Sequence, residues 1–273
     1  MALNKNVIGA INLVALLLSV PIIATGIWLM TQAEISCINL LNWPVIALGI
    51  AILMVAILGI VGGFRKIQLL MVIYFVAMLV LMVLLGALAA FAFSVTSRGS
   101  AHHEPNRAYL EYRFDDYSGW LRRRVHGRVR WARVWNCLSS SDACVKLNKT
   151  FHNAQDFFNA PLSPVQSGCC KPPTECGYTY VTPTYWISPI NMTADKDCLA
   201  WSNNDQLCYG CDSCRAGMLA SLRQDWRKAG FVLLATLFFL ACVYVVGFCV
   251  FRRSKTDELF KKYKQGQHSS SYT

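Results

Sequence analysis

The chain has 273 residues, 55% of them hydrophobic, and a formal net charge of +11. A soluble domain would interleave apolar and polar residues at a period of about 3.6 or about 2; here the apolar residues come in long blocks, which excludes an ordinary soluble fold. The positive charge does not indicate a nucleic-acid partner, because Lys5, Arg65, Lys66, Arg252, Arg253, Lys255, Lys261, Lys262 and Lys264 all flank those blocks.

In chain order, residues 1–6 form a short N-terminal segment. Residues 7–30, 43–63, 69–95 and 229–251 contain no Asp, Glu, Lys or Arg. About 20 apolar residues cross the hydrocarbon core as a helix, and lipid leaves the backbone no partner but itself, so each block is expected to be a transmembrane helix. The first block is 24 residues long. The apolar region of a cleaved signal peptide has roughly 7–15 residues. Despite the small-residue stretch Thr31-Gln32-Ala33, the block is therefore read as an uncleaved anchor.

Basic residues of short loops stay on the cytoplasmic side. That rule puts residues 1–6, the loop 64–68 and the tail 252–273 inside, so a multi-pass protein with both termini cytoplasmic is expected; the membrane expected to hold it is the plasma membrane. The small loop 31–42 and the large loop 96–228 then lie outside. The large loop is Arg-rich, but loops longer than about 60 residues translocate largely regardless of charge. Trp28, Trp43 and Trp226 fall at the expected outer ends of spans, where an apolar ring with a wet N–H is favoured.

Twelve cysteines divide into Cys242 and Cys249 within the last span and ten outside it. Nine are in the large loop: Cys137, Cys144, Cys169, Cys170, Cys176, Cys198, Cys208, Cys211 and Cys214. An odd count in an oxidising compartment leaves a reactive thiol. Cys37 of the small loop makes the count even, so five disulfides are expected, one tying the small loop to the large one. The pairing stays open, except that a bond between the neighbours Cys169 and Cys170 would be strained, so each should reach a different partner. Cys208-x2-Cys211-x2-Cys214 also has the spacing of a metal site, but the oxidising setting favours disulfides. Asn148-Lys149-Thr150 and Asn191-Met192-Thr193 are N-glycosylation sequons in the same loop.

Within the large loop, apolar residues recur every three or four positions from about Asn106 to Leu138, which predicts one amphipathic helix continuing from the third span. A second short helix is expected over 147–160, stopped by Pro161. The stretch 163–212 should be irregular or weakly β. A last helix over about 213–228 should lead into the fourth span. Arg122, Arg123, Arg124, Arg128, Arg130 and Arg133 crowd the first helix. They form either a solvated face or a site for acidic polysaccharide or lipid headgroups.

Inside the spans, Ala15-x3-Ser19, Ala47-x3-Ala51, Gly59-x3-Gly63 and Gly86-x3-Ala90 offer small-residue packing faces. Asn12 is a candidate intramembrane hydrogen-bonding residue. Cys249, at the cytoplasmic boundary, and the deeper Cys242 are candidates for S-palmitoylation. The basic tail should lean on the anionic inner leaflet, and the run at residues 269–271 should be disordered. No acid–base pair in a span and no Gly-rich phosphate loop points to catalysis, and no metal or cofactor is expected. His102-His103 is read as ordinary surface.

Gly168-Cys169-Cys170-Lys171-Pro172-Pro173, set in a large cysteine-rich loop between spans three and four after a small first loop, resembles the plant tetraspanins. The animal branch usually carries Cys-Cys-Gly instead. The resemblance covers essentially the whole chain. It implies an all-α membrane protein, a bundle of four transmembrane helices with a mostly helical, disulfide-rich extracellular domain. It implies lateral association with itself, with other tetraspanins and with other integral membrane proteins and lipids in microdomains. It also implies that one cysteine of the doublet pairs with the cysteine nearest the last span, here Cys214. Many members place polar residues in spans one, three and four; here spans three and four lack Glu, Gln and Asn. The expected function is a non-enzymatic membrane organiser. A receptor for an extracellular ligand is the alternative. A pore is less favoured, because a first loop of about 12 residues and an apolar bundle interior offer no conducting path.

Overall fold

A computed structural model describes residues 13–14, 16–17, 19–28, 42–65, 68–204 and 206–270. The chain divides into two compact units. A helical unit takes its described residues from Met1–Ile27, Leu41–Ala90 and Phe231–Thr273, and a cysteine-rich unit is built mainly on Phe91–Gly230. Asn12 and Cys37 lie outside the described residues.

Three apolar helices come first: α1 (Ser19–Trp28), α2 (Asn42–Arg65) and α3 (Gln68–Thr96). A hairpin of β1 (His102–His103) and β2 (Leu110–Glu111) follows, paired antiparallel. After a 3-10 turn at Phe114–Asp116 come α4 (Gly119–His126), α5 (Arg128–Ser139), α6 (Ala143–Thr150), α7 (Ala154–Phe158) and α8 (Pro164–Cys169). A second antiparallel hairpin joins β3 (Thr179–Thr182) to β4 (Tyr185–Ile187). The short α9 (Asp197–Ala200) precedes α10, which runs without interruption from Asp212 to Ser270.

Three expectations need correction. The single helix over 106–138 is instead β2, a 3-10 turn and two helices. Asn106 adopts a φ of 60°, which stops a helix there, and Gly127 is extended between α4 and α5. Glycine loses more entropy in a helix than other residues do, so the chain turns where it stands. The helix over 147–160 is two pieces, because Asn153 is extended and serves as the N-cap of α7. The expected disorder at the C-terminal serines does not hold for Ser269 and Ser270, since α10 continues through them.

α3 over Leu69–Thr96 and α10 over Asp212–Arg253 are long and apolar enough to cross a membrane; α1 and the Ile46–Val61 part of α2 are shorter apolar helices. In the helical unit α1 and α2 meet at glycines. A Cβ on Gly49 would stand 2.7 Å from Ile23 Cγ1, and one on Gly26 would press equally on Ile46. Lipid tails are as apolar as the side chains, so no hydrophobic force drives helices together there, and close backbone packing of this kind helps to hold them. The small-residue faces read from the sequence are only partly used: Ser19 and Gly59 are buried, whereas Ala47 and Ala90 are exposed. Phe75 of α3 sits against Tyr244, Phe248 and Phe251 of α10 at centroid separations of 5.4–6.0 Å. Leu69, Val83, Phe231 and Phe238 are largely exposed, a surface suited to lipid tails and not to water.

Candidate functional site

The Gly-Cys-Cys-Lys-Pro string is the node of the cysteine-rich unit. Ser163 opens α8 with a capping box: its side chain accepts from Gln166 N at 3.2 Å, and Gln166 Oε1 accepts from Ser163 N at 3.0 Å, with Pro164 in the first turn. α8 then lies directly on the start of α10. A Cβ on Gly168 would collide with the Ser213 carbonyl, and one on Gly217 with the Pro164 carbonyl. Only two glycines let these backbones touch. Gly168→Ala is therefore expected to cost the full chain about 3 kcal/mol or more. Gly119→Ala, where an added Cβ meets nothing within 4 Å, should be neutral or slightly stabilising. Denaturant titration in detergent, followed by tryptophan fluorescence, separates the two.

That contact is locked by sulfur. Cys169 bonds Cys214 with a Cα separation of 4.2 Å, and Cys170 bonds Cys144 at 5.2 Å. The doublet thus joins α8 to α10 on one side and to α6 on the other. Cys176 bonds Cys198 across the β3–β4 hairpin, and Cys208 bonds Cys211. The three cysteines with metal-like spacing are all consumed by disulfides. Cys137 is disulfide-bonded as well. Cys242 and Cys249 are free and exposed on α10.

Lys171 carries the next contact and is only 1% exposed. Its ammonium pairs with Glu111 of β2, lies 3.3 Å from the Pro172 carbonyl, and stands 4.6 Å over the Tyr109 ring. Glu111 also accepts from Thr174 N at 3.1 Å and Thr174 Oγ1 at 2.5 Å. Burial pushes the Glu111 carboxyl up, but the Lys171 charge and the hydrogen bonds from Lys171 and Thr174 outweigh it and hold the group below the usual carboxylate range. Asp197 caps α10, accepting from Asp212 N at 2.9 Å and Ser213 N at 2.7 Å; burial leaves its carboxyl raised in spite of those bonds. Glu111, Thr174, Asp197 and Gly217 were not singled out from the sequence. Helix α8 departs from the irregular or weakly β stretch expected over 163–212, although the capping-box pattern Ser163-x2-Gln166 could have signalled it; the Glu111–Lys171 pair, sixty residues apart, carries no local signal.

Around this node the unit presents an apolar face. The inner side of the β3–β4 hairpin packs Tyr180 and Trp186 on Phe157, which also touches Phe151, Phe158 and Tyr109. Asn203 pairs with the Trp186 backbone in both directions, at 2.9 and 2.7 Å, and so covers the free edge of β4. The hairpin's other side carries Val181, Tyr185 and Ile187, all exposed, and Ile190, 86% exposed, packs at its base against Gly177. Side chains alternate across a strand, so these outward residues are not core that failed to close. They are surface that stays apolar.

At the node itself, a cleft of about 140 Å³ is lined by Glu111 of β2, Ser167 and Gly168 of α8, Lys171, and Asp212 and Ser213 of α10, with further charged side chains from neighbouring turns. Several of its charges are tied up in Lys171–Glu111, Arg113–Glu175 and Lys196–Asp212 pairs, and Asp197 is held by the amides at the start of α10, which reads as structure. Asn148 and Asn191 are exposed, and the Asn191 side chain accepts from Thr193 N at 3.2 Å and Thr193 Oγ1 at 3.0 Å, an Asx-turn across the sequon.

The model of the tetraspanin family matches residues 4–253. The chain belongs to the tetraspanin family. This tetraspanin is 56% identical over 267 residues to Protein TORNADO 2 of Arabidopsis thaliana, covering 97% of this chain and 99% of the relative. It is 46% identical over 268 residues to Tetraspanin-2 of the same plant, covering 97% and 99%. With Arabidopsis Tetraspanin-8 the identity is 38% over 263 residues, covering 95% and 96%. The architecture is thus a four-transmembrane-helix bundle with a mostly helical, disulfide-rich extracellular domain, in a family that is generally non-enzymatic and organises membranes.

Proposed function

We propose that this tetraspanin gathers partner membrane proteins in the plane of the plasma membrane, with its extracellular domain selecting them and its bundle setting lateral packing. The observation that supports the reading is the apolar outer side of the β3–β4 hairpin, Val181, Tyr185 and Ile187 with Ile190, carried on a domain fastened by disulfides. Exposed apolar side chains gathered on a rigid support mark protein-binding surfaces. Association with other tetraspanins or a second copy of this chain belongs to the same proposal.

In this reading both termini are cytoplasmic. The basic stretch of α10 beyond Arg252 rests on the anionic inner leaflet, and Cys249 and then Cys242, both free, are the sites for S-acylation. Asn148 and Asn191 carry glycans. Four bridges use eight cysteines and two more are free. Of the twelve in the chain, Cys37 and Cys137 are left, and we propose that they form the bridge between the two extracellular loops.

The test is cross-linking of the full chain in intact membranes, with cross-linked residues mapped by mass spectrometry. Partner cross-links should concentrate near the β3–β4 hairpin and fall sharply in Tyr185→Glu/Ile187→Glu, whose side chains face outward and leave the core intact. Unchanged partner recovery from that variant, present and folded at the surface, would count against the reading.

A further inference from the structure

Within the cysteine-rich unit, aromatic contacts place the first turn of α4 beside the end of α3 and the Trp226 turn of α10. Trp120 meets Phe91 of α3 edge-on at 5.2 Å and Trp226 of α10 at 6.3 Å. The span Leu69–Thr96 has 28 residues. At 1.5 Å per residue it is about 42 Å long, against a hydrocarbon core of about 30 Å, so its end lies among headgroups. Phe91, five residues before Thr96, therefore marks the lower edge of the interface, and the half-buried Trp120 sits at that level as tryptophans do, whereas Trp226 is 1% exposed and belongs to the packed core beneath it.

Basic residues gather at this level. Arg124 stands 4.7 Å over the Trp120 ring. Arg98 follows the end of α3, Arg123 neighbours Arg124, and Arg227 follows Trp226; all are exposed. Among the described residues, none of Arg98, Arg123, Arg124 and Arg227 is ion-paired, in contrast to Arg122, which pairs with Asp115 at 3.0 Å. Lys228, also exposed, leans toward Asp225 and the Trp28 ring. The remaining arginines of the run sit higher. α5 is tied by Trp131 to Arg215 of α10, eleven residues and so about 16 Å up the helix from Trp226.

We propose that Arg98, Arg123, Arg124 and Arg227 form a basic collar that binds the phosphates of anionic lipids in the leaflet beneath the cysteine-rich domain. Guanidinium groups match phosphate oxygens in a bidentate fork. The hydrophobic belt just below them fixes the depth at which those phosphates are met. The collar adds a named lipid chemistry to the membrane-organising reading, and its geometry does not depend on the hairpin.

The test is native mass spectrometry of the full chain released from nanodiscs of phosphatidylcholine mixed with phosphatidic acid, scoring retained phosphatidate. Removing a basic residue near an anionic surface weakens attraction about fivefold, so Arg123→Gln/Arg124→Gln should lose retention by about that factor per arginine. Arg123→Lys/Arg124→Lys should recover much of it, which excludes misfolding as the cause. Arg128→Gln/Arg130→Gln, equal in charge but on α5, should retain phosphatidate normally. Undiminished retention in Arg123→Gln/Arg124→Gln would overturn the proposal. So would equal losses in the α4 and α5 variants, the pattern expected of a soluble acidic polysaccharide site spread over the whole arginine face. A nanodisc offers phosphatidate to both faces, so the basic stretch beyond Arg252 retains the same share in every variant and the difference between variants reports the collar alone, whichever face is exoplasmic and with no partner protein present.

Discussion

Replacing Cys169 and Cys214 together by alanine is expected to cost the extracellular domain about 4 kcal/mol, twice the cost of the same change at Cys208 and Cys211. A disulfide stabilises chiefly by shrinking the unfolded ensemble, and the effect grows with the logarithm of the closed loop. The Cys169–Cys214 bridge closes a separation of 45 residues, the Cys208–Cys211 bridge a separation of 3. Loop entropy gives about 4 and about 2 kcal/mol respectively. The local setting widens the gap, because the longer bridge clamps the glycine-mediated contact of α8 on α10. Hydrogen exchange of the full chain in detergent reads the difference. The amides of α8 and the first turns of α10 should lose protection in the Cys169/Cys214 variant and largely keep it in the other. Equal protection in both would mean that the doublet is not the fastening point.

Lys171→Met is expected to destabilise the domain by about 3–5 kcal/mol, the cost of leaving a buried carboxylate without its charge partner. Replacing both residues, as Lys171→Met with Glu111→Leu, should recover most of that loss, because an apolar pair avoids the desolvation of two ions. Acidity distinguishes the variants further. In the native chain the folded Glu111 pKa lies below its unfolded value. The contribution is therefore complete above the unfolded pKa and disappears as pH falls through the folded one. In Lys171→Met burial acts with less opposition and raises the folded pKa, so the sign reverses and the variant gains stability on acidification through that pKa. Asp212 and Asp116 are also held low and contribute the same acid loss to every variant, so the double replacement is the reference curve. A parallel acid response in Lys171→Met and the native chain would show that the ion pair does not control Glu111.

The parts of the fold that lipid and sulfur dictate were legible in the sequence. Uncharged blocks have few alternatives to helices in a membrane, and α3 over Gln68–Thr96 departs from the expected 69–95 by a single residue at each end. Adjacent cysteines that cannot comfortably bond each other had to reach two partners, and they reach Cys214 and Cys144. Legibility failed where tertiary contacts override local pattern. Leu110, Phe114, Tyr117 and Leu121 keep a helical spacing through a hairpin and a 3-10 turn, because a compact domain draws apolar residues inward from any backbone. The hairpin over Thr179–Ile187 carried no signal of its faces, since inward Trp186 and outward Tyr185 differ by packing partner and not by polarity. Gly217 and Glu111 gave no warning, since each matters only through a partner distant in the chain.

The most direct measurement of the account is non-reducing peptide mapping of the full chain, after intact cells are treated with a membrane-impermeant thiol-alkylating reagent. Cys144–Cys170, Cys169–Cys214, Cys176–Cys198 and Cys208–Cys211 peptides are expected, with no bridge at Cys242 or Cys249, together with the proposed Cys37–Cys137 peptide. Loop cysteines found as free thiols, modified only after the cells are opened, would contradict it.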